Sequence, residues 1–300
     1  MATLFNLFFK AIGIGFLALA KAKSLSIGYQ RARPFSSSEV DRCVDYDLKV
    51  VDEWLVALEA YSGGSSAQIR GARVLELGPG ADFGVGLYFL AKGASEYAAL
   101  DAFPLAYGAP AALHEALIKR ISGEATAPGI DELRAAVPTL TKPGGNGRIR
   151  YVVRSDFDVA AAFTGEYFDY VFSQAAFEHF DDVESTIAQL SRVTRPGAKL
   201  VAGIDLQTHT RWIREKDPLN IYRYGKGIYR FFRFKGMPNR VPTSEYFRIL
   251  RAYGWSQIEL HGLWAVDEEY FQKVRNSLSP EYRKDQTRNL WIVVCATRVE

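Results

Sequence analysis

Cysteine is nearly absent from this 300-residue chain: Cys43 and Cys295 are the only two, and they fall in different elements. That is taken to exclude a disulfide framework or a zinc cluster, fits a reducing compartment, and leaves no metal site expected. A marked charge excess is also lacking. Lys and Arg total 37 against 34 Asp and Glu, and a net charge of +3 is too small to argue for nucleic acid by itself. There is no internal repeat, no long low-complexity segment and no Gly-Lys-Ser/Thr, so a phosphate-binding P-loop is excluded. What remains is 48% hydrophobic and 13% aromatic, enough for a substantial core in one large α/β domain with additions or in two small domains.

The one long apolar run is at the N-terminus. Leu4 to Ala20 is broken only by Asn6 and Lys10, with Lys21 and Lys23 following. At seventeen residues it is at the short limit for a membrane span, and Ala18-Leu19-Ala20 resembles a signal-peptidase site. On a helical wheel Asn6, Lys10, Gly13 and Lys21 share a narrow face, while Phe5, Phe8, Phe9, Ile12, Phe16 and Leu19 spread over the other. That pattern suits a helix lying in a membrane interface or one docked on the protein. Residues 1–23 are thus read as an apolar helix with membrane contact, docking and a signal or span all open.

Ser36 and Glu39 have capping-box spacing ahead of Val40, Val44, Leu48, Val51, Leu55 and Leu58, and Ser62 to Ser66 forms a linker, so residues 36–66 read as a flanking helix. Strands are expected at Ala72–Leu77, Glu96–Ala102, Arg148–Arg154, Asp169–Ser173 and Lys199–Leu206. The helices between them lie at Phe83–Lys92, Pro110–Ile121 and after Asp181, where Asp181 and Glu184 have capping-box spacing and Arg195-Pro196-Gly197 stops the helix. Ser122 to Gly147 reads as an excursion with one short helix near Asp131–Ala136. Alternation of this kind indicates a parallel sheet with right-handed crossovers. The pattern changes at 207–241, which holds nine Arg or Lys between Arg211 and Arg240 and many aromatics but no clean strand. A helix at Thr243–Tyr253 and strands at Ser256–Leu263 and Leu290–Thr297 complete the chain.

Val74-Leu75-Glu76-Leu77-Gly78-Pro79-Gly80 reads as a buried strand entering a glycine turn and a helix N-terminus, a nucleotide-sized site. A dinucleotide fingerprint needs a third glycine at a set distance, and Gly84 comes one position late. Glu76 would also repel a pyrophosphate. It suits a ligand that carries an ammonium group and no phosphate.

Together with Asp101 after strand two, Asp156 after strand three, Phe168 to Ser173 with Phe177-Glu178-His179, and Arg195 to Leu200, this stretch resembles the class I S-adenosylmethionine-dependent methyltransferases, of the type 11-like group. The resemblance covers Arg73 to Leu206 well and the last two strands loosely. It implies a Rossmann-like doubly wound seven-stranded sheet, six strands parallel and one antiparallel, with helices on both faces. It also implies S-adenosyl-L-methionine as cofactor. Gly78 and Gly80 would pass close to the methionine and ribose part, with Glu76 near the methionine end. Asp101 would accept from the ribose hydroxyls, Asp156 would accept from the adenine amine, and Phe157 would offer its N–H to the ring. Gln174 would lie under the methionine moiety. Asp169, at the start of its strand, and Phe177 are expected to be structural.

Methyl transfer to a hydroxyl needs alignment and removal of a proton, so the base is sought at the carboxyl ends of strands four and five. His179 and His209 stand there, and imidazole titrates near neutral pH. His209, with Asp205 four residues before it, is the stronger candidate for acceptor chemistry, and His179 the stronger for structure or cofactor support. The domain is read as 67–300, with 207–241 an acceptor lid whose basic and aromatic residues suit an anionic acceptor. The expected activity is methyl transfer to a small-molecule, glycan or lipid-linked acceptor, in the cytoplasm or at the inner membrane surface. A cofactor-binding scaffold or membrane-attached regulatory protein is the alternative.

Overall fold

The computed structural model describes residues 2–28, 39–123, 129–140 and 147–299. Two helices, α1 (Ala2–Ile27) and α2 (Val40–Tyr61), precede the sheet. The chain then alternates through β1 (Arg73–Leu77), α3 (Gly84–Ala91), β2 (Glu96–Asp101), α4 (Ala111–Ser122), α5 (Ile130–Leu140), β3 (Ile149–Val153), α6 (Val159–Ala162), β4 (Phe168–Gln174), α7 (Val183–Val193) and β5 (Thr194–Asp205). Three helices follow, α8 (Arg211–Arg214), α9 (Lys226–Phe232) and α10 (Thr243–Ala252). The chain ends with β6 (Trp255–Ala265), α11 (Glu268–Arg275) and β7 (Asn289–Arg298).

The sheet order is β3-β2-β1-β4-β5-β7-β6. Pairs among the first five strands are parallel, and β7 runs antiparallel to both β5 and β6. This is the expected doubly wound sheet, six strands parallel and one antiparallel. From β1 the chain builds outward to β2 and β3, then returns to the other side of β1 as β4. The reversal leaves a crevice at the carboxyl ends of β1 and β4, where ligands bind in open α/β sheets. The central strands are apolar because both faces are covered: Leu75, Leu77, Ala98 and Val171 pack under α7 and α10, while Val74, Ala99 and Phe172 pack under α2, α3 and α4. Trp54 of α2 stacks on Phe172 at 5.0 Å, which fixes that helix over the sheet.

Three local expectations are corrected. The N-cap of α7 is Asp182, whose side chain accepts from Ser185 N, while Asp181 lies one residue outside the helix and Glu184 instead bonds Arg248 and Tyr253. β5 already begins at Thr194, because Arg195-Pro196-Gly197 forms an exposed bulge where the pairing with β4 shifts between Phe168 and Tyr170. The excursion helix extends over Ile130–Leu140, through Pro138. Ser36, half of the expected capping box, lies outside the described residues, and Glu39 makes no side-chain cap bond.

α1 docks on residues 207–241 and on α11 along a face that carries Asn6, Phe9 and Gly13. Asn6 donates to Lys273 O (2.9 Å) and accepts from Arg223, while Asn220 and Tyr224 donate to the Phe9 and Lys10 carbonyls. Gly13 is required there, since a Cβ would lie 2.1 Å from the Tyr224 hydroxyl. Apolar residues stand on both sides of the helix: Phe9 is buried and Phe5, Ile14 and Leu17 pack on the cluster beneath, while Leu4, Leu7, Phe8, Leu19 and Leu25 are each more than half exposed.

Candidate functional site

A cavity of about 630 Å³ opens at the switch point, within the range of small-molecule sites. Its floor is the turn after β1. Gly78 takes φ +73°, and a Cβ on it would meet the Ala176 Cβ at 2.5 Å, so glycine is needed for both conformation and clearance. Gly78 N donates to Leu100 O, and Ser173 Oγ donates to Leu77 O, locking the turn to β2 and β4.

Glu76, Gly78, Gly80, Asp101, Asp156, Phe157, Gln174 and His179 all line this cavity, so the structure brings eight of the ten expected site residues together. Glu76 is almost wholly buried and accepts a short hydrogen bond from the Tyr97 hydroxyl. Burial pushes its carboxyl up to about 8; the Tyr97 bond opposes this, and Asp82 and Asp101 add to it. Asp101 is raised to about 6 by burial, against backbone N–H bonds from Phe103, Ala102 and Gly80. Asp156 is exposed and paired through both oxygens with Arg154 (3.0 and 2.7 Å), which lowers its pKa. Gln174 Oε1 accepts from the Trp54 indole at 3.2 Å.

One expected contact is otherwise engaged in this arrangement. The Phe157 N–H is donated to Arg154 O (2.9 Å), because Arg154 to Phe157 closes a turn; the residue meets the cavity with its ring, tilted on Phe180. Asp205 does not hydrogen-bond His209: it accepts from Gln207 N at 2.9 Å and pairs with Arg214 at 3.8 Å. His209 Nδ1 instead meets Gln207 O at 2.9 Å, and its Nε2 meets His179 Nε2 at 3.2 Å. His179 Nδ1 meets Gly236 O at 2.7 Å, and its imidazole is lowered to about 4 by burial and by His209. Asp169 accepts from Arg73 N and Arg195 at the opposite end of its strand, and Phe177 packs in the core on Phe180 and Tyr246.

The sequence reading missed α2 as the cavity roof. Cys43, Tyr46, Asp47 and Val50 line the cavity from above. The available signal was the series Val40, Val44, Asp47, Val51, Trp54 and Leu58, in which Asp47 is the one polar member of a buried stripe. Burial and the facing Asp82 hold Asp47 well above the usual carboxylate range, and Asp82 is itself raised by burial. Four carboxyls, those of Asp47, Glu76, Asp82 and Asp101, thus surround one end of the cavity.

The lid contributes little positive charge. Arg223 is buried against Asp217 at 2.8 Å, and Arg240 is sandwiched by Tyr229 (3.6 Å) and Tyr282 (5.3 Å). Only Lys235 and Gly236 of the lid reach the cavity. Lys235 bonds Ser155 O and lies over Phe103, while Gly236 accepts from His179, so these two residues form a strap across the mouth.

Residues 108–202, spanning α4 to β5, match the family model for a methyltransferase domain. The match covers about a third of the chain. No curated protein is a significant match to it. Among solved structures, the chain is similar to phosphoethanolamine N-methyltransferase 2 from Haemonchus contortus (15% identity, TM-score 0.44). That match covers 83% of this chain but only 53% of the Haemonchus enzyme, so the chain spans about half of that protein's length. The CurJ carbon methyltransferase matches at 14% identity over 99% of this chain and 70% of its own, with TM-score 0.46. An S-adenosylmethionine-dependent methyltransferase from Mesorhizobium loti matches at 17% identity over 81% and 96%, with TM-score 0.42. None of these TM-scores reaches 0.5, so the substrates of those proteins say nothing about this chain.

Proposed function

We propose that this protein transfers a methyl group from S-adenosylmethionine to a small or lipid-linked acceptor. The observation that carries the reading is the ring of Asp47, Glu76, Asp82 and Asp101 around the glycine turn of one cavity. Buried carboxyls raised in this way favour a cationic guest, which recovers the ionised form they lose on burial. S-adenosylmethionine carries an ammonium, a sulfonium and a ribose diol. In this reading Glu76 faces the ammonium, Asp101 accepts from the diol, and Phe157 and Asp156 border the adenine.

The acceptor enters at the His179–His209 end. The sulfonium is already activated, so the protein's work is to align the nucleophile and take its proton. His209, exposed beside the strap, is the proposed proton acceptor, and Gln207 O at its Nδ1 orients the ring. The acid-rich lining favours a neutral or cationic acceptor over an anionic one. Arg42 and Lys235 are the only basic residues lining the cavity among those described, against the acids at 39, 47, 76, 82, 101, 156, 181 and 182.

The outward apolar face of α1 supports residence at a membrane surface, with Ile228, Phe231 and Trp212 of the lid exposed as well. The helix is docked along one side, yet it leaves Leu4, Leu7, Phe8, Leu19 and Leu25 to solvent, where the soluble pattern would place polar residues. Calorimetry with S-adenosylmethionine tests the cofactor assignment; a wild-type protein that gives no binding heat defeats it.

A further inference from the structure

The His179–His209 contact contains an electrostatic conflict. Each ring has a backbone carbonyl at its Nδ1, Gly236 O for His179 and Gln207 O for His209, so each Nδ1 carries the proton. Both Nε2 atoms then present lone pairs, and they stand 3.2 Å apart with the rings at 90°. Two acceptors at that distance repel each other unless a positive species lies between them.

Glu178 is the third member of the cluster. It is 2% exposed, and neither carboxyl oxygen has a side-chain partner; only the backbone amides of Glu178 and Asp205 stand near it. Among the described residues it has no ion pair, and a buried carboxyl without one is costly. One ligand atom from each of Glu178, His179 and His209 falls within 4.8 Å of the others.

We propose that Glu178, His179 and His209 form a site for a divalent transition-metal ion of the zinc class. Two imidazoles bound about 2.1 Å from one ion at an N–metal–N angle of roughly 100° have their nitrogens about 3.2 Å apart. The observed spacing is the edge of such a polyhedron. The Nδ1–H bonds to Gly236 and Gln207 fix the tautomers that leave Nε2 free, as outer partners of metal-bound histidines do. Two imidazoles and one carboxylate favour zinc, cobalt or iron(II) over magnesium or calcium, which prefer all-oxygen sets. Scarcity of cysteine does not bear on a site of this composition. The ion would sit beside the acceptor end of the cavity, with its remaining positions open on the exposed His209 side. It would tie the loop after β4 to the loop after β5, and through Gly236 to the strap. This inference deepens the proposed function: an acceptor hydroxyl on the ion would be more acidic and would release its proton to solvent water, so in the loaded protein His209 would serve as a ligand and not as the base.

Cobalt(II) titration of full-length protein stripped with a chelator tests this, because the ligand-field absorption reports coordination without any turnover. One equivalent should bind with a visible nitrogen–oxygen band, and zinc should displace it. Glu178→Gln should weaken cobalt by at least the roughly 10–100-fold that loss of an outer partner costs, and His209→Ala should abolish the band. Far-UV circular dichroism confirms that each variant is folded. No band at saturating cobalt, or a band unchanged in both folded variants, overturns the proposal. A proton shared between the Nε2 atoms in the metal-saturated protein, seen by ¹⁵N NMR, overturns it too. S-adenosylmethionine calorimetry on the same preparation separates the two ideas. Heat without a band removes the metal site alone, and a band without heat removes the cofactor assignment alone.

Discussion

Asp47 Oδ2 lies so close to the backbone of Gly84 that a Cβ there would sit 1.9 Å from it. This contact joins α2 to the N-terminus of α3, where Gly84 N also donates to Asp82 Oδ1 at 2.8 Å. Gly84→Ala should therefore push the Asp47 carboxyl off the cavity roof. The expected cost is about 1–3 kcal/mol, typical of an added methyl in a packed site, read as a lower urea midpoint. Cofactor affinity should fall with it. An unchanged midpoint and affinity would mean that α2 is not held in place here.

Glu76 links pH to both stability and binding. Its folded carboxyl titrates near 8 against an ordinary value of 4.5, so folding favours its neutral form. The stability this provides is complete below about pH 4.5 and is lost as pH rises through about 8. Glu76→Gln keeps a neutral partner for the Tyr97 hydroxyl at every pH. The cofactor-free variant should gain over wild type as pH rises, by up to about 5 kcal/mol between pH 4 and pH 9, while S-adenosylmethionine binding weakens. Thermal unfolding across that range checks the slope, and parallel curves would sink the assignment.

Asp101 should govern the acid limb of cofactor binding. Its carboxyl titrates near 6, so a wild-type affinity flat above that value should decline as the pH falls through it. Charged hydrogen bonds are worth about 1.5–3 kcal/mol, so Asp101→Ala should weaken S-adenosylmethionine by about 10–100-fold and remove that limb. Calorimetry at several pH values reads both, and a variant that keeps the limb would clear Asp101 of the role.

How far the chain could be read in advance follows from what is local. The strands and crossovers were legible because a buried parallel strand is a short apolar run ended by glycine or acid, as in Val74 to Gly80. Asp101 and Asp156 were legible for the same reason, standing where strands end. Asp47 was not, since a helix shows its contacts only when packed, and its partner Asp82 is remote in sequence. The lid misled for a related reason. Its nine basic residues look like an anion site in one dimension, but folding spends Arg223 on Asp217 and Arg240 on two tyrosines. Asp205 and His209, four residues apart, do not pair because the chain turns at Gln207, whose N–H takes the carboxylate and whose carbonyl takes the ring.

His209→Ala should separate chemistry from binding. His209 lies outside the cavity wall and touches none of the residues proposed to hold the cofactor, so S-adenosylmethionine affinity should stay within about twofold while kcat falls by about 10²-fold or more. Release of S-adenosylhomocysteine in the presence of cell extract provides the rate. Equal rates for variant and wild type would remove His209 from the reaction, whether as base or as metal ligand.

The outward face of α1 gives a prediction that leaves the docked face untouched. Leu4, Leu7 and Phe8 are 75%, 63% and 51% exposed, while Asn6, Phe9 and Gly13 make the contacts with the lid. Replacing the three exposed residues with serine should therefore leave the fold and cofactor binding intact. It removes apolar area that, at roughly 25 cal/mol per Å², is worth several kcal/mol of insertion into a lipid interface. Wild-type protein should sediment with vesicles of mixed neutral and anionic phospholipid, and the triple variant should stay in the supernatant. Lys10, Lys21 and Lys23 on the same helix predict that anionic lipid strengthens the binding and that salt weakens it. Equal sedimentation of the two proteins would mean that this face meets something other than a membrane.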